Sequence, residues 1–199
     1  MAENEKQLPA TPKPDRAPLA VGQRGVEFHS VDEMFRFAEA VIQSGFAPKG
    51  FDKPQAVMIA MQMGAELGLA PMQSLQSIAV INGRPAIWGD GALAVVQASD
   101  AYEYHREFVE GEADNMAGVC AIKRRGSAEH VVRFSVAKAR KAGLWGKAGP
   151  WTQYPERMLQ MRARGFALRD QFADVLRGMK TAEEAMDYPE PEKIDDGPY

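Results

Sequence analysis

Cysteine is nearly absent: the 199-residue chain has one, Cys120, so no internal disulfide framework is open to it. A lone thiol fits a reducing, cytoplasmic setting. Its place in the apolar run GVCAIK suits a small buried strand residue better than a nucleophile. Histidine is scarce too. His29, His105 and His130 stand far apart, and no His/Cys cluster has metal-ligand spacing. The acids of 100–114 lack the alternating pattern of a calcium loop. Gly146-Lys147 could end a phosphate-binding loop, but position 141 is lysine where that loop needs glycine. Long apolar runs are missing. The longest, Ala56–Ala70, carries Gln62 and Glu66 and is too short to span a membrane. The polar, acidic N-terminus has no apolar secretion core. These absences predict a non-enzyme with no metal, ATP or membrane site.

Charge is present but segregated. The net charge is −3, yet Thr181–Tyr199 holds seven acids against Lys193, so residues 1–180 are net positive. The stretch 135–180 has ten bases and three acids, whereas 100–114 has six acids and only Arg106. This polarity predicts a basic binding face and an acidic tail.

Four prolines within 1–25 sit among charges and small residues, which predicts a disordered arm over 1–27. Ser30 and Glu33 form a capping box, opening a helix that ends near Gly45. Pro54 suits the first turn of a buried helix over 54–67, and a short helix follows Pro71. Asn82-Gly83 between apolar runs predicts a hairpin. The join at Gly89-Asp90 either offers backbone N–H groups to an anion or is a plain cap. The charge of Asp90 favours the cap, with a helix over 90–98. Strands follow at 102–109, 116–125 and 129–134. Ser135 then caps a short basic helix bearing Lys138 and Lys141. A loop at 144–153, a long helix at 154–170 and short helices at 172–178 and 181–187 complete an α+β domain over 28–187. Its sheet is small and largely antiparallel. Residues 188–199, with three prolines, predict a disordered acidic tail. That tail either solubilises the protein or competes with a ligand for the basic face.

The most informative segment is 143–170. Trp145 and Trp151 lie in a Gly/Pro-rich loop with Lys147, and a helix follows with arginines at 157, 162, 164 and 169. At about 100° per residue, Arg157 and Arg164 fall about 20° apart, as do Arg162 and Arg169. Two apolar strips lie between them, Leu159/Ala163/Phe166 and Met161/Leu168, so the helix needs contact on two sides. The second side is either the same chain or a neighbouring subunit, and a subunit interface is the expectation here. Arginines can hold phosphates and tryptophans can stack on bases. Equally, surface arginines bridge to acids and tryptophans pack in cores.

The run KAGLWGKAGPWTQYPERMLQMRARGFALRDQFADVLRG, followed by TAEEA, resembles the signature of the phage RecT family of single-strand annealing proteins. LGLAPMQSLQSIAVINGRPAIWGDGALAVV is similar to the same family's central region. The likeness spans about residues 55–187 and implies an oligomeric annealing core like that of RecT and the lambda Redβ protein. It implies ATP-independent binding of single-stranded DNA in a basic groove, pairing through an annealed duplex intermediate, and rings or helical filaments. Magnesium would act only as a modulator. Implied partners are a 5′→3′ exonuclease and a host single-stranded-DNA-binding protein, within the cytoplasm of a bacterial host of a phage or prophage. Arg162 and Arg169 match basic positions of the family's corresponding helix, and Arg157 follows. With Arg164, Lys147, Lys138, Lys141, Trp145 and Trp151 they make up the candidate DNA-binding set, and replacing Arg162 and Arg169 is expected to spare the fold. Two rival readings remain: a metal-dependent nuclease using acids of 100–114, and a structural oligomer without DNA.

Overall fold

The computed structural model describes residues 19–23 and 25–188. The first described residues correct the expected arm: β1 (Ala20–Gly22) pairs antiparallel with β2 (Gly25–Glu27) as a small hairpin. The prolines stop at Pro18, and beyond them the backbone can donate to a ladder. Residues 1–18, the rest of that arm, lie outside the described residues.

Helix α1 (Val31–Gln43) starts at Ser30, whose hydroxyl accepts from the Glu33 N–H at 3.2 Å. Glu33 reaches back one residue further than expected, accepting from the His29 N–H at 2.8 Å. Pro54 opens α2 (Pro54–Glu66) and Pro71 opens α3 (Pro71–Ser77). Strands β3 (Ile78–Ile81) and β4 (Arg84–Ile87) form the expected hairpin. Its two turn residues have φ of 52° at Asn82 and 70° at Gly83. That pairing matches the twist of a two-residue hairpin.

Helix α4 spans Gly89–Gln97, one residue earlier than expected, so Asp90 is not its cap. The Gly89 N–H instead donates to the Glu183 carboxylate, at 3.0 Å to Oε2. The anion that the join could hold is therefore supplied by the chain itself.

A three-stranded antiparallel sheet follows, β5 (Tyr102–Glu110), β6 (Ala117–Arg124) and β7 (His130–Ser135), with β6 in the middle. Ser135 caps α5 (Val136–Lys141) as expected, accepting from the Lys138 N–H. The expected loop at 144–153 contains a single helical turn, α6 (Pro150–Gln153). Helix α7 (Pro155–Phe172) runs two residues beyond its expected end. The helix expected over 172–178 is a series of turns, because Arg177 (φ 53°) and Gly178 (φ 74°) adopt left-handed backbone that a helix cannot continue. Last comes α8 (Ala182–Ala185). Of the expected acidic tail, Tyr188 is ordered and donates to Glu184 at 2.7 Å. Residues 189–199 lie outside the described residues.

One hydrophobic core extends from Ala38 to Leu176, and α7 crosses its centre. Its two apolar strips both find partners in the same chain. Leu159 lies so close to Gly118 of β6 that an added Cβ there would overlap the helix backbone, and Met161 lies as close to Gly89. The expectation of a subunit interface on α7 is corrected: Met161 is buried within the monomer, as are Leu159, Ala163 and Leu168. The periodicity showed that two sides need cover but not which chain supplies it.

Cys120 is a core residue, as its strand context suggested. Burial, reinforced by the nearby Glu107 charge, pushes its thiol up to about 12. Native protein is expected to resist thiol reagents at mildly alkaline pH and to react once unfolded in urea. Rapid labelling of the native state is the contrary result. For α7, Met161→Asp places a charge in the core beside Glu183 and is expected to cost about 3 kcal/mol or more by urea unfolding. A smaller assembly by light scattering with undiminished stability would return the strip to a subunit interface.

Candidate nucleic-acid interface

The four arginines of α7 leave the helix in two pairs, as their spacing predicted, and each pair meets acids. Arg164 is buried. Its guanidinium donates to both oxygens of Glu107 on β5, at 2.6 and 2.5 Å, and to Asp90 on α4 at 2.5 Å. Burial alone would lower its pKa, but the bonds and charges of Glu107 and Asp90 outweigh that and raise it further. Asp90 also accepts from Arg157 at 3.1 Å. Partial burial pushes this carboxyl up, yet bonds and charge from Arg164 and Arg157 hold it below the usual range. Gln160 completes the network, accepting from Arg157 and donating to Glu107.

The second pair faces the C-terminal segment. Arg162, also buried, donates to Asp187 at 2.9 Å. The same carboxylate accepts from the Trp151 indole N–H at 3.2 Å and from Lys147 at 3.5 Å. Two turns on, Arg169 pairs with the buried Glu184 at 3.2 Å. Phe166 lies between the two guanidiniums, 5.9 Å from Arg162 and 5.6 Å from Arg169, and Phe134 lies 6.0 Å from Arg162. Four of the nine candidate residues therefore form one anion-receiving array. Its donors are incompletely used: the Nε atoms of Arg162 and Arg169 are buried without a hydrogen-bond partner, as is Oε2 of Glu184. An unmade buried hydrogen bond costs roughly 1–3 kcal/mol, so the array is not satisfied by the two carboxylates it holds.

The remaining candidates sit apart. Trp151 is in the core with Phe134, and Trp145 is half-buried at the core's edge. Lys138 donates to the Arg133 carbonyl at 2.7 Å, and Lys141 is exposed at the end of α5. The acids of 100–114 are strung along β5 and the following turn. Glu103 faces Lys123, Glu107 faces Arg164, Glu110 faces Arg133 and Asp114 faces Arg140. Among the described residues, no three His, Cys, Asp or Glu side chains gather as metal ligands would. Sequence reasoning missed Asp90, Glu107, Glu184, Asp187 and Phe166 as members of these networks. The signal was the abundance of acids at 100–114 and 181–187 beside a basic helix.

Arg162 is buried against Asp187, so alanine there would leave that carboxylate with Trp151 and Lys147 alone, and a cost in stability is expected. The sharper test is Arg164. Removing one partner of a buried pair costs about 3–5 kcal/mol, so Arg164→Ala should approach that range in urea unfolding. The half-exposed Arg157→Ala should stay within about 0.5 kcal/mol. Equal effects from the two would show that Arg164 is not an internal anchor.

No protein-family model matches the chain, and no curated protein matches it in sequence.

Proposed function

We propose that this protein binds single-stranded DNA and anneals complementary strands without nucleotide hydrolysis, as the RecT family does. The observation that carries the reading is the array of Lys147, Trp151, Arg162 and Arg169, which gathers candidate residues around two carboxylates with buried donors to spare. Phosphate oxygens offer the same donors more acceptors than a carboxylate does. On this reading Glu184 and Asp187 occupy the phosphate positions until DNA displaces the segment that carries them. The resemblance of residues 55–187 to the family supports the same conclusion.

The physics of annealing asks little else of the protein. Two polyanions repel, and cations that hold the backbones screen that repulsion. Bases left free at their pairing edges test homology by pairing, and duplex formation is downhill. Assembly into rings or filaments would multiply the contacts along a strand. A 5′→3′ exonuclease in the same bacterial cytoplasm would supply the single strands.

Purified protein is expected to accelerate pairing of complementary oligonucleotides with no ATP present. Glu184→Gln with Asp187→Asn should tighten binding to single strands and steepen its salt dependence, because two competing charges are gone. Pairing no faster than in protein-free buffer would sink the proposal.

A further inference from the structure

A cleft of about 620 Å³ opens between the β3–β4 hairpin, the turn before α8, and Ala185 and Tyr188 at and beyond the end of α8. Its floor is apolar, formed by Met63, Pro85 and Met179, and its rim carries Arg84, Arg177 and Lys180. All three cations are exposed, and none has an acidic partner among the described residues. The arginines of α7 are the reverse case, each one paired. Other cations without an acidic partner among the described residues, such as Lys138 and Lys141 on α5, stand elsewhere on the surface, but these three line one concave site of ordinary ligand size.

Two features show that the cleft is built rather than incidental. Asn82, at the hairpin turn, donates to the Tyr188 carbonyl at 3.1 Å and approaches that of Ala185 at 3.5 Å. The Ile87 N–H donates to the Lys180 carbonyl at 2.9 Å. These bonds lock the walls together across about half the chain. Arg177 holds a φ of 53°, left-handed backbone that a non-glycine residue adopts only under constraint. Gly178 beside it is left-handed too, at no steric cost, whereas the strained position bears a guanidinium.

We infer that this cleft is a binding site for single-stranded nucleic acid, with phosphates on Arg84, Arg177 and Lys180 and a base against the apolar floor and the Tyr188 ring. The inference rests on the DNA-binding reading above and extends it to residues outside α7. An apolar floor beneath several unpaired cations suits a chain that alternates planar bases with phosphates. The Tyr188 ring already has Lys180 4.8 Å from its centre. Its hydroxyl bonds Glu184, the partner of Arg169, so the cleft adjoins the anion-receiving array. One strand can pass from one to the other, and its passage would compete for the segment that holds the array closed.

The test is fluorescence anisotropy of a labelled oligothymidylate across a salt series, using wild type, Arg84→Ala/Arg177→Ala and Arg177→Gly. The double variant should lose roughly tenfold or more in affinity at low salt. It should also flatten the slope of log K on log salt by roughly one for each contact removed. Arg177→Gly should raise the melting temperature, by relieving the backbone, while weakening binding. That combination cannot come from misfolding. If wild type binds and the double variant binds equally well with the same slope, the cleft is not the site and the DNA-binding reading stands. If wild type binds no oligonucleotide, both fall. If the double variant keeps its DNA affinity but loses affinity for an acidic peptide, the cleft is a protein-docking site and the inference is overturned.

Discussion

A guanidinium cannot enter a protein interior alone, and helix α7 carries two of them into the core. Moving a charge out of water costs several kcal/mol unless a counter-charge and hydrogen bonds meet it. Arg164 is met by Glu107 and Asp90, and Arg162 by Asp187. These three acids lie on β5, on α4 and just beyond α8. The helix thereby fixes where each of those elements must stand. Apolar packing against β6 decides how close the helix sits, as the contact at Gly118 shows. The ion pairs decide how it is rotated and what closes over it.

The same pairing governs the electrostatics that a ligand would meet. A count of charged residues over 135–180 suggests a strongly basic surface, but much of that charge is cancelled at short range by acids from elsewhere in the chain. What an approaching polyanion encounters is the remainder. The array around Asp187 and Glu184 is basic but occupied, whereas the cleft at Arg84, Arg177 and Lys180 is basic and open. An occupied array binds by exchange, replacing one anion with another. An open cleft gains its contacts outright. The annealing proposed above, in which a strand is held and later released as duplex, would use both.

Local signals were legible wherever one residue type determines a local geometry. Ser30 and Ser135 as caps, Pro54 and Pro71 as first-turn residues, Asn82-Gly83 as a hairpin turn and the three strands of the sheet all follow from short-range chemistry. The α+β class follows from their order. Pairings over long separations were not legible. Periodicity placed the four arginines in two pairs, but nothing in the spacing announces that Glu107 lies under one pair and Asp187 under the other. For the same reason Asp90 looked like a cap: its partners, Arg157 and Arg164, are some seventy residues away. The turns at 172–178 escaped notice because Arg177 takes a conformation that its side chain does not favour.

The contacts of the final described segment bridge long stretches of chain. Glu183 meets Gly89 ninety-four positions away, and Asn82 meets the Tyr188 carbonyl across a hundred and six. Contacts of such separation close large loops, whose entropy must be lost before the contacts repay it. The hairpins, the capped helices and the three-stranded sheet can form from neighbouring sequence while the chain is still being made. The clasp of α8 on Gly89, Asn82 and the arginines of α7 must wait until synthesis has passed Tyr188. Until then Arg162 has no Asp187 and Arg169 no Glu184, and a nascent chain displays both guanidiniums uncovered. Closure of this segment is thus also the step that covers Arg162 and Arg169.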